Sequence, residues 1–395
     1  MSDPNRYFVV RLPKRLVFTL LSLLILFLIL EAWQRVSEWR TQARRAAKAE
    51  VYSARAETWR GVTITDRPGR LVYRHHPFLV CDLKPDQRTP ELTVNHQGFR
   101  GRDWAKEKPA GTRRVLVLGG SAAFGMYASG DDRTFPAVLE RLLGEQGRTV
   151  EVLNAGRPSY ESAQELILLA TAAVDYAPDV VLVHDGWNDL YGSARERPDR
   201  EPVPGLFLEI DQVLAEGRRG CMTDALRCSA FGRFLEGRIA RLRKRLSGPG
   251  DGPRPAFGTL HDHPAALPRY RRNLRAICRL ASAYGATVVL TAQPELFQRK
   301  GPVPEAERAI REREAKDAPG YDRLGLERYP GFVRAAEEVA REEGALFVDL
   351  TTAFDSVADA VFVDQVHLND RGQEVVARQV FPVVARALEP SAGGR

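Results

Sequence analysis

The sequence has few cysteines, and most of its length carries no excess of charge. The 395 residues include only Cys81, Cys221, Cys228 and Cys278, too few for a disulfide scaffold. No CxxC pair occurs, so neither a zinc site nor thioredoxin-like chemistry is expected. The net charge of +7 arises in residues 1–60, where 11 Lys and Arg stand against 5 Asp and Glu. The remaining 335 residues carry 47 against 46, so a nucleic-acid partner is not expected.

One long hydrophobic run stands near the N-terminus. Leu16–Leu30 is uncharged over 15 residues, and Glu31-Ala32-Trp33 extends the run to 18. As a helix it covers about 22 to 27 Å, near the lower limit for crossing a bilayer. No small-x-small cleavage site follows closely, so an uncleaved signal anchor is favoured over a cleaved signal peptide. The sequence therefore predicts one transmembrane helix.

The number of basic residues is nearly equal on the two sides of the run, so the charges alone do not fix its orientation in a membrane. Basic residues precede it at 6, 11, 14 and 15 and follow it at 35, 40, 44, 45 and 48. A short charged N-terminus ahead of a first helix favours the cytoplasm for that end. We therefore expect a single-pass protein whose large domain lies outside the cytoplasm. In that location Cys221 and Cys228, seven residues apart, can close a small disulfide loop.

Strand and helix patterns alternate from Arg113 onward. Five short, largely apolar runs predict strands, at Val115–Leu118, Val150–Leu153, Val180–Val183, Thr287–Thr291 and Leu346–Leu350, and the third of them is wholly apolar. Amphipathic segments separate them, and wholly apolar strands are typical of a parallel sheet covered on both faces. The fold class predicted is α/β: a three-layer α/β/α sandwich with a five-stranded, flavodoxin-like parallel sheet, preceded by the transmembrane helix.

The domain organisation follows from these patterns. In chain order we expect a short basic N-terminus (1–15), the transmembrane helix (16–33), a juxtamembrane helical stalk (34–60), a small extended lead-in (61–111) and the α/β domain (112–390). Two stretches interrupt the alternation, at about 192–268 and 298–328. Both follow carboxyl ends of strands, where an open α/β sheet builds its binding site. They are interpreted as substrate walls or as surface insertions.

A glycine-rich loop, Gly119-Gly120-Ser121-Ala122-Ala123-Phe124-Gly125, follows the first strand of the alternation. It is not a P-loop, because Met126-Tyr127 stands where Lys-Ser/Thr is required. It lacks GxGxxG, and Ala123 excludes the GxSxG elbow. What remains is a serine at the carboxyl end of a strand, between residues small enough to let a substrate approach its hydroxyl.

Three further motifs follow predicted strands or stand near the C-terminus. They are Asn154-Ala155-Gly156, Gly186-Trp187-Asn188-Asp189 and Asp364-Gln365-Val366-His367. Loops after parallel strands converge at one sheet edge. Together with the serine loop, the set resembles the four blocks of the SGNH hydrolases, the GDSL-like lipases and esterases, over about residues 112–388. Gly-Gly-Ser-Ala replaces the Gly-Asp-Ser-Leu of the family name. Upstream, Asn95–Gly101 is similar to a segment that precedes this domain in membrane-bound relatives.

Acyl-transfer chemistry gives these residues their roles. Serine needs a base within hydrogen-bond reach, and His367 is the candidate base for the nucleophile Ser121. Asp364 can fix the tautomer of His367 and stabilise its imidazolium. For the oxyanion hole, the resemblance implies the backbone N–H groups of Ser121 and Gly156 and the side-chain amide of Asn188. Two residues beside these motifs are interpreted as structural: we expect His184 to be a packed core histidine and Arg157 to be a solvated side chain.

The sequence thus predicts a serine esterase that hydrolyses O-acyl esters, O-acetyl esters among them, without metal or other cofactor. Its expected partners are an acylated small molecule or carbohydrate and, through the N-terminal helix, a membrane. Two alternatives stay open: an O-acyltransferase on extracytoplasmic carbohydrate, and a catalytically silent polysaccharide-binding module. The oligomeric state is not indicated by the sequence.

Overall fold

A computed structural model describes residues 21–37, 73–194, 263–317 and 320–389, with 14–15, 18–19, 71, 231, 234 and 238. The chain divides into two compact units: residues 1–61 with 218–253, and residues 62–217 with 254–395. The predicted stalk lies almost wholly outside the described residues. So do Cys221, Cys228 and most of the first insertion, and the predictions for them stay predictions.

The larger unit is built on a five-stranded parallel sheet, as the sequence predicted. Its strands, with those of the preceding lead-in, are β1 (Tyr73–His76), β2 (Val80–Leu83), β3 (Gln87–Arg88), β4 (Thr93–Val94), β5 (Arg113–Gly119), β6 (Val150–Asn154), β7 (Val180–Asp185), β8 (Thr287–Ala292) and β9 (Leu346–Asp349). The order across the sheet is β6-β5-β7-β8-β9, and every neighbouring pair is parallel.

Helices cover both faces of this sheet. They are α1 (Ser121–Phe124), α2 (Phe135–Glu145), α3 (Ser162–Thr171), α4 (Trp187–Ala194), α5 (Ala266–Ala283), α6 (Glu305–Asp317), α7 (Tyr321–Arg323), α8 (Tyr329–Glu343) and α9 (Asp370–Ala387). One apolar core contains residues of α3, α5 and α8, and the other contains residues of α2 and α9. The result is the predicted three-layer α/β/α arrangement.

The inner strand β5 shows why this sequence needs two layers of helices. Val115 and Val117 belong to one core, while Leu116 and Leu118 belong to the other. All four side chains have no exposed area. Because successive side chains of a strand point to opposite faces, a wholly apolar strand is stable only when both faces are covered.

The lead-in forms two antiparallel hairpins, β1–β2 and β3–β4. The second is tied to the main sheet through Arg100, which bridges to Val94 on one side and to Asn154 of β6 on the other. The lead-in is therefore joined to the strand end that precedes Gly156.

In the smaller unit, residues 21–37 are helical. The ring of Phe27 lies 6.2 Å from that of Phe231, edge to face. Of the expected transmembrane segment 16–33, residues 16, 17 and 20 are outside the described set. Among the described residues, no helix is long and apolar enough to cross a membrane.

Candidate active site

The serine loop places Ser121 at the first residue of α1, directly after β5. Its two preceding glycines are required by close approaches. A Cβ on Gly119 would lie 2.3 Å from the carbonyl oxygen of His184, and one on Gly120 would lie 2.3 Å from Nδ2 of Asn188. Gly119 also has φ +149, which other residues rarely adopt. The glycines therefore let the serine turn pack against the end of β7 and against Asn188.

The structure brings Ser121, His367 and Asp364 together. The Oγ of Ser121 lies 2.7 Å from Nε2 of His367, although the two residues are 246 positions apart. The Nδ1 of the same ring lies 2.6 Å from Oδ2 of Asp364. A carboxylate at Nδ1 favours the tautomer with the proton there, which leaves Nε2 free to accept the serine proton.

Asp364 is held as a carboxylate by its surroundings. Burial raises its pKa, but the charge and hydrogen bond of His367 and the N–H groups of Val366 and His367 outweigh burial. The net result is a pKa below the ordinary value for aspartate. The two N–H groups donate to Oδ1 at 3.0 and 2.8 Å, so Asp364 is fixed by its own turn while Oδ2 faces the imidazole.

Asn188 presents its side-chain amide beside the serine turn. It is half-buried, and its Nδ2 donates to the carbonyl oxygen of Tyr160 at 2.7 Å. An amide nitrogen carries two hydrogens, so one remains for a ligand. Asp189, the residue after Asn188, holds the segment that follows Tyr160: its carboxylate accepts hydrogen bonds from the N–H (2.8 Å) and the Oγ (2.6 Å) of Ser162.

Gly156 lies against the serine turn, but its N–H group is occupied. It donates to Oδ1 of Asn154 at 3.1 Å, and the residue is buried. A Cβ at this position would lie 2.4 Å from the backbone nitrogen of Phe124. The need for glycine therefore comes from packing against α1. Of the three predicted oxyanion donors, Gly156 is the one whose single N–H hydrogen is already bound, whereas Asn188 keeps a second amide hydrogen besides the one donated to Tyr160.

Two residues in the segments that follow β5 and β6 were not singled out by the sequence. Ser159 has φ +70 and is half-buried; within the part of the chain that the structure describes, its N–H has no acceptor. Tyr127 has φ +68, and its ring lies 5.3 Å from that of His367. Left-handed backbone at non-glycine residues is strained and concentrates at functional sites. Backbone angles of this kind leave no signal in a single sequence.

For His184 and Arg157 the sequence predicted structural roles, and the structure confirms only the first. His184 is buried, and its Nδ1 lies 2.8 Å from Oγ1 of Thr291. Burial lowers its pKa to about 3, so it is a neutral core histidine, as interpreted. For Arg157 the interpretation was wrong: the side chain is 1% exposed and its Nε donates to Asp82 at 2.9 Å. The buried carboxylate of the lead-in is what draws this arginine inward.

Comparison with known families decides the classification. A model of the GDSL-like lipase/acylhydrolase family matches residues 117–375. The chain belongs to this family. As a GDSL-like acylhydrolase it is an ester-hydrolysing serine hydrolase, and the matched range contains Ser121, Gly156, Asn188, Asp364 and His367. No curated protein sequence matches the chain.

Several solved structures are similar to this GDSL-like acylhydrolase. TesA is 16% identical, with 70% of this chain and all of TesA covered, at a TM-score of 0.39. The acetyl xylan esterase AlAXEase is 14% identical, with 69% and 99% covered, at 0.39. A lipase/acylhydrolase from Enterococcus faecalis is 16% identical, with 71% and 100% covered, at 0.41.

Proposed function

We propose that the protein hydrolyses O-acyl esters through an acyl-enzyme on Ser121. The observation that carries the proposal is the 2.7 Å distance from Oγ of Ser121 to Nε2 of His367, with Asp364 on the far nitrogen of the ring. A hydroxyl paired with an oriented base is the arrangement that activates a serine.

Each step uses a group that lies at the site. Oγ of Ser121 attacks the ester carbon while Nε2 of His367 takes the hydroxyl proton. The tetrahedral oxyanion is stabilised by the N–H of Ser121 and the amide of Asn188. The C–O bond to the alcohol then breaks, and the imidazolium returns its proton to the departing oxygen. Water attacks the acyl-enzyme by the same route in reverse, which releases the carboxylic acid and restores Ser121.

The third oxyanion donor comes from the loop after β6. The N–H of Gly156 donates to Oδ1 of Asn154 at 3.1 Å. Gly156 can therefore be the third donor only when the Asn154 side chain turns away. The N–H of Ser159 is the competing donor: it stands one residue before Tyr160, whose carbonyl holds Asn188. Replacing Asn154 by leucine separates the two, because of these two N–H groups it frees only that of Gly156. The substitution also removes the hydrogen bond from the side chain of Asn154 to the carbonyl oxygen of Phe124.

The substrate proposed is an O-acetyl or other short O-acyl ester of extracytoplasmic carbohydrate, and the protein is proposed to be anchored by its N-terminal helix. The helix at 21–37 supports the anchor, because the side chains of residues 21–29 are apolar or small and all are exposed. A continuous apolar surface of this kind is stable when it is buried in lipid. A C-terminal reporter that works only outside the cytoplasm tests the orientation, and activity of a cytoplasm-only reporter contradicts it.

Activity on a series of p-nitrophenyl esters tests the reaction, with acetylated oligosaccharides tested for acetate release. We expect turnover that is highest for short acyl chains. Acetyl transfer to an added sugar in excess of acetate release favours the acyltransferase instead. A folded wild-type protein that hydrolyses none of these esters and does not react with a fluorophosphonate contradicts the proposal and favours the silent binding module.

A further inference from the structure

Arg100, in the lead-in segment Asn95–Gly101, is buried beneath the serine turn. Its side chain is 2% exposed. Nη1 donates to the carbonyl oxygens of Phe124 (3.1 Å) and Gly125 (2.6 Å). Nε donates to Oδ1 of Asp131 at 2.9 Å, and Nη2 donates to the carbonyl oxygen of Glu91 at 3.1 Å. The guanidinium thus joins the lead-in to the segment that directly follows the nucleophile.

The serine turn needs an external partner at this end. α1 has only four residues and is followed by Gly125, which caps it with φ +80. A single helical turn is not stable alone, and its last carbonyls have no partners within the helix. Arg100 supplies donors to two of them, and its positive charge complements the negative end of the turn. The position of Ser121, the first residue of α1, therefore depends on a cation 21 positions earlier in the chain.

The same arginine also contacts the strand that leads to the oxyanion loop. Its backbone N–H donates to the carbonyl oxygen of Asn154 at 3.1 Å. The side chain of Asn154 in turn donates to the carbonyl oxygen of Phe124 at 3.3 Å. Arg100 is thus common to the two loops that must be held at a fixed separation around the reacting carbonyl.

We propose that Arg100 is a positioning residue that fixes Ser121 Oγ against Nε2 of His367 through the carbonyls of Phe124 and Gly125. The inference rests on the proposed esterase function. A guanidinium can serve this purpose because it presents five donors in a planar fork, whereas a lysine ammonium presents a compact point charge. Charge alone is therefore insufficient at this position.

The test uses the full chain with Arg100→Lys and Arg100→Ala, and Arg102→Ala as the matched control. Arg102 stands two residues on, and its side chain is 59% exposed in an ion pair with Glu140. Thermal unfolding gives the folded fraction, and kcat, KM and the rate of fluorophosphonate labelling are measured per folded molecule. We expect both Arg100 variants to lose about 100-fold in kcat and in labelling rate, the effect of a small misplacement of a reacting group. KM should change little, and Arg102→Ala should resemble wild type.

Chemical rescue distinguishes a positioning role of Arg100 from a role in the stability of the fold alone. Guanidinium ion at millimolar concentration should restore part of the kcat of Arg100→Ala and none of that of Ser121→Ala. Folded Arg100 variants with wild-type kcat overturn the inference, as does a loss of activity that only follows the unfolded fraction.

If both Arg100 variants fail to fold, Asp131→Asn decides, since it keeps the guanidinium but removes its carboxylate partner. A selective fall in kcat supports the inference, and wild-type kcat overturns it. A wild-type protein that neither labels nor hydrolyses esters contradicts the proposed function, whereas active wild type with an active Arg100→Lys contradicts the positioning role alone.

Discussion

The amide of Asn188 donates to the carbonyl oxygen of Tyr160 at 2.7 Å, so the loops after β6 and β7 hold each other in place. Because the amide nitrogen is anchored by one hydrogen, its other hydrogen has a defined direction. Pre-oriented donors stabilise an oxyanion without reorganising during the reaction. The arrangement gives Asn188 a role that can be separated from those of Ser121 and His367.

Replacing Asn188 by alanine should lower kcat by roughly 10²–10³ and leave KM nearly unchanged. The nucleophile and base stay in place, so slow labelling by a fluorophosphonate should persist. The isosteric Asn188→Asp is the matched variant, because it keeps the shape but has no N–H to donate. Wild-type kcat in either folded variant would show that the amide does not contact the oxyanion.

Asp364→Asn should reduce kcat by about 10⁴ while preserving the fold. An asparagine amide facing Nδ1 favours the wrong imidazole tautomer, which leaves Nε2 protonated and unable to accept the proton of Ser121. Steady-state kinetics from pH 6 to 9 check this, with Asp359→Asn as the control because Asp359 is exposed. An Asp364→Asn enzyme within tenfold of wild type contradicts the relay.

The second insertion supports the loop that carries Asp364 and His367. Glu307 of α6 is fully buried, pairs with the buried Arg299, and accepts the N–H groups of Val361 (2.7 Å) and Phe362 (3.0 Å). Its role in this structure is thus to hold the loop before Asp364.

Glu307→Gln should lower the free energy of unfolding by about 3–5 kcal/mol, because it leaves a buried guanidinium without its counter-charge. Urea unfolding measures the loss, and kcat should fall because the catalytic loop loses its support. Glu305→Gln, on the exposed side of the same helix turn, should have little effect. Equal stability of the two variants would mean that the buried pair contributes nothing to holding this loop.

Glu295 predicts a pH dependence of stability. Burial raises its pKa from 4.5 to about 8, so the folded protein binds a proton there that the unfolded chain loses near pH 4.5. The stabilisation is complete below pH 4.5, declines as pH rises and is lost above about pH 8.

Glu295→Gln retains the neutral form at every pH. The stability of wild type relative to this variant should therefore fall by a few kcal/mol between pH 5 and pH 8.5, measured by urea unfolding at both values. Glu327→Gln, whose side chain is 53% exposed, should show no such trend. A constant difference between wild type and Glu295→Gln would refute the raised pKa.

The five strands of the main sheet could be predicted because each contains an apolar run. Val115–Leu118 and Val180–Val183 are wholly apolar, as burial on both faces demands, whereas the runs of the two edge strands include Glu151 and Asp349. The approach of Ser121 to His367 was expected because loops after parallel strands converge at one sheet edge and because the four motifs resemble those of the SGNH hydrolases. The partner of Arg157 could not be predicted, since Asp82 lies 75 positions away and nothing local indicates the pair.

The packing of Gly156 against Phe124 is a second feature that the sequence did not predict. The resemblance implies an oxyanion donor at Gly156, but the sequence does not show which neighbour would exclude a Cβ there. The structure identifies the backbone of Phe124, and the hydrogen bond to Asn154 depends on a side-chain rotamer that a single sequence does not specify.

The most direct test of the account is the stoichiometry of fluorophosphonate labelling, followed by mass spectrometry of the modified peptide. Wild type should take up one label per folded molecule, on Ser121, and lose its esterase activity in proportion. Ser121→Ala should fold normally, take up no label and show no ester hydrolysis above the uncatalysed rate. A folded Ser121→Ala protein that keeps wild-type esterase activity, or a label found on another residue, would contradict the assignment of Ser121 as the nucleophile.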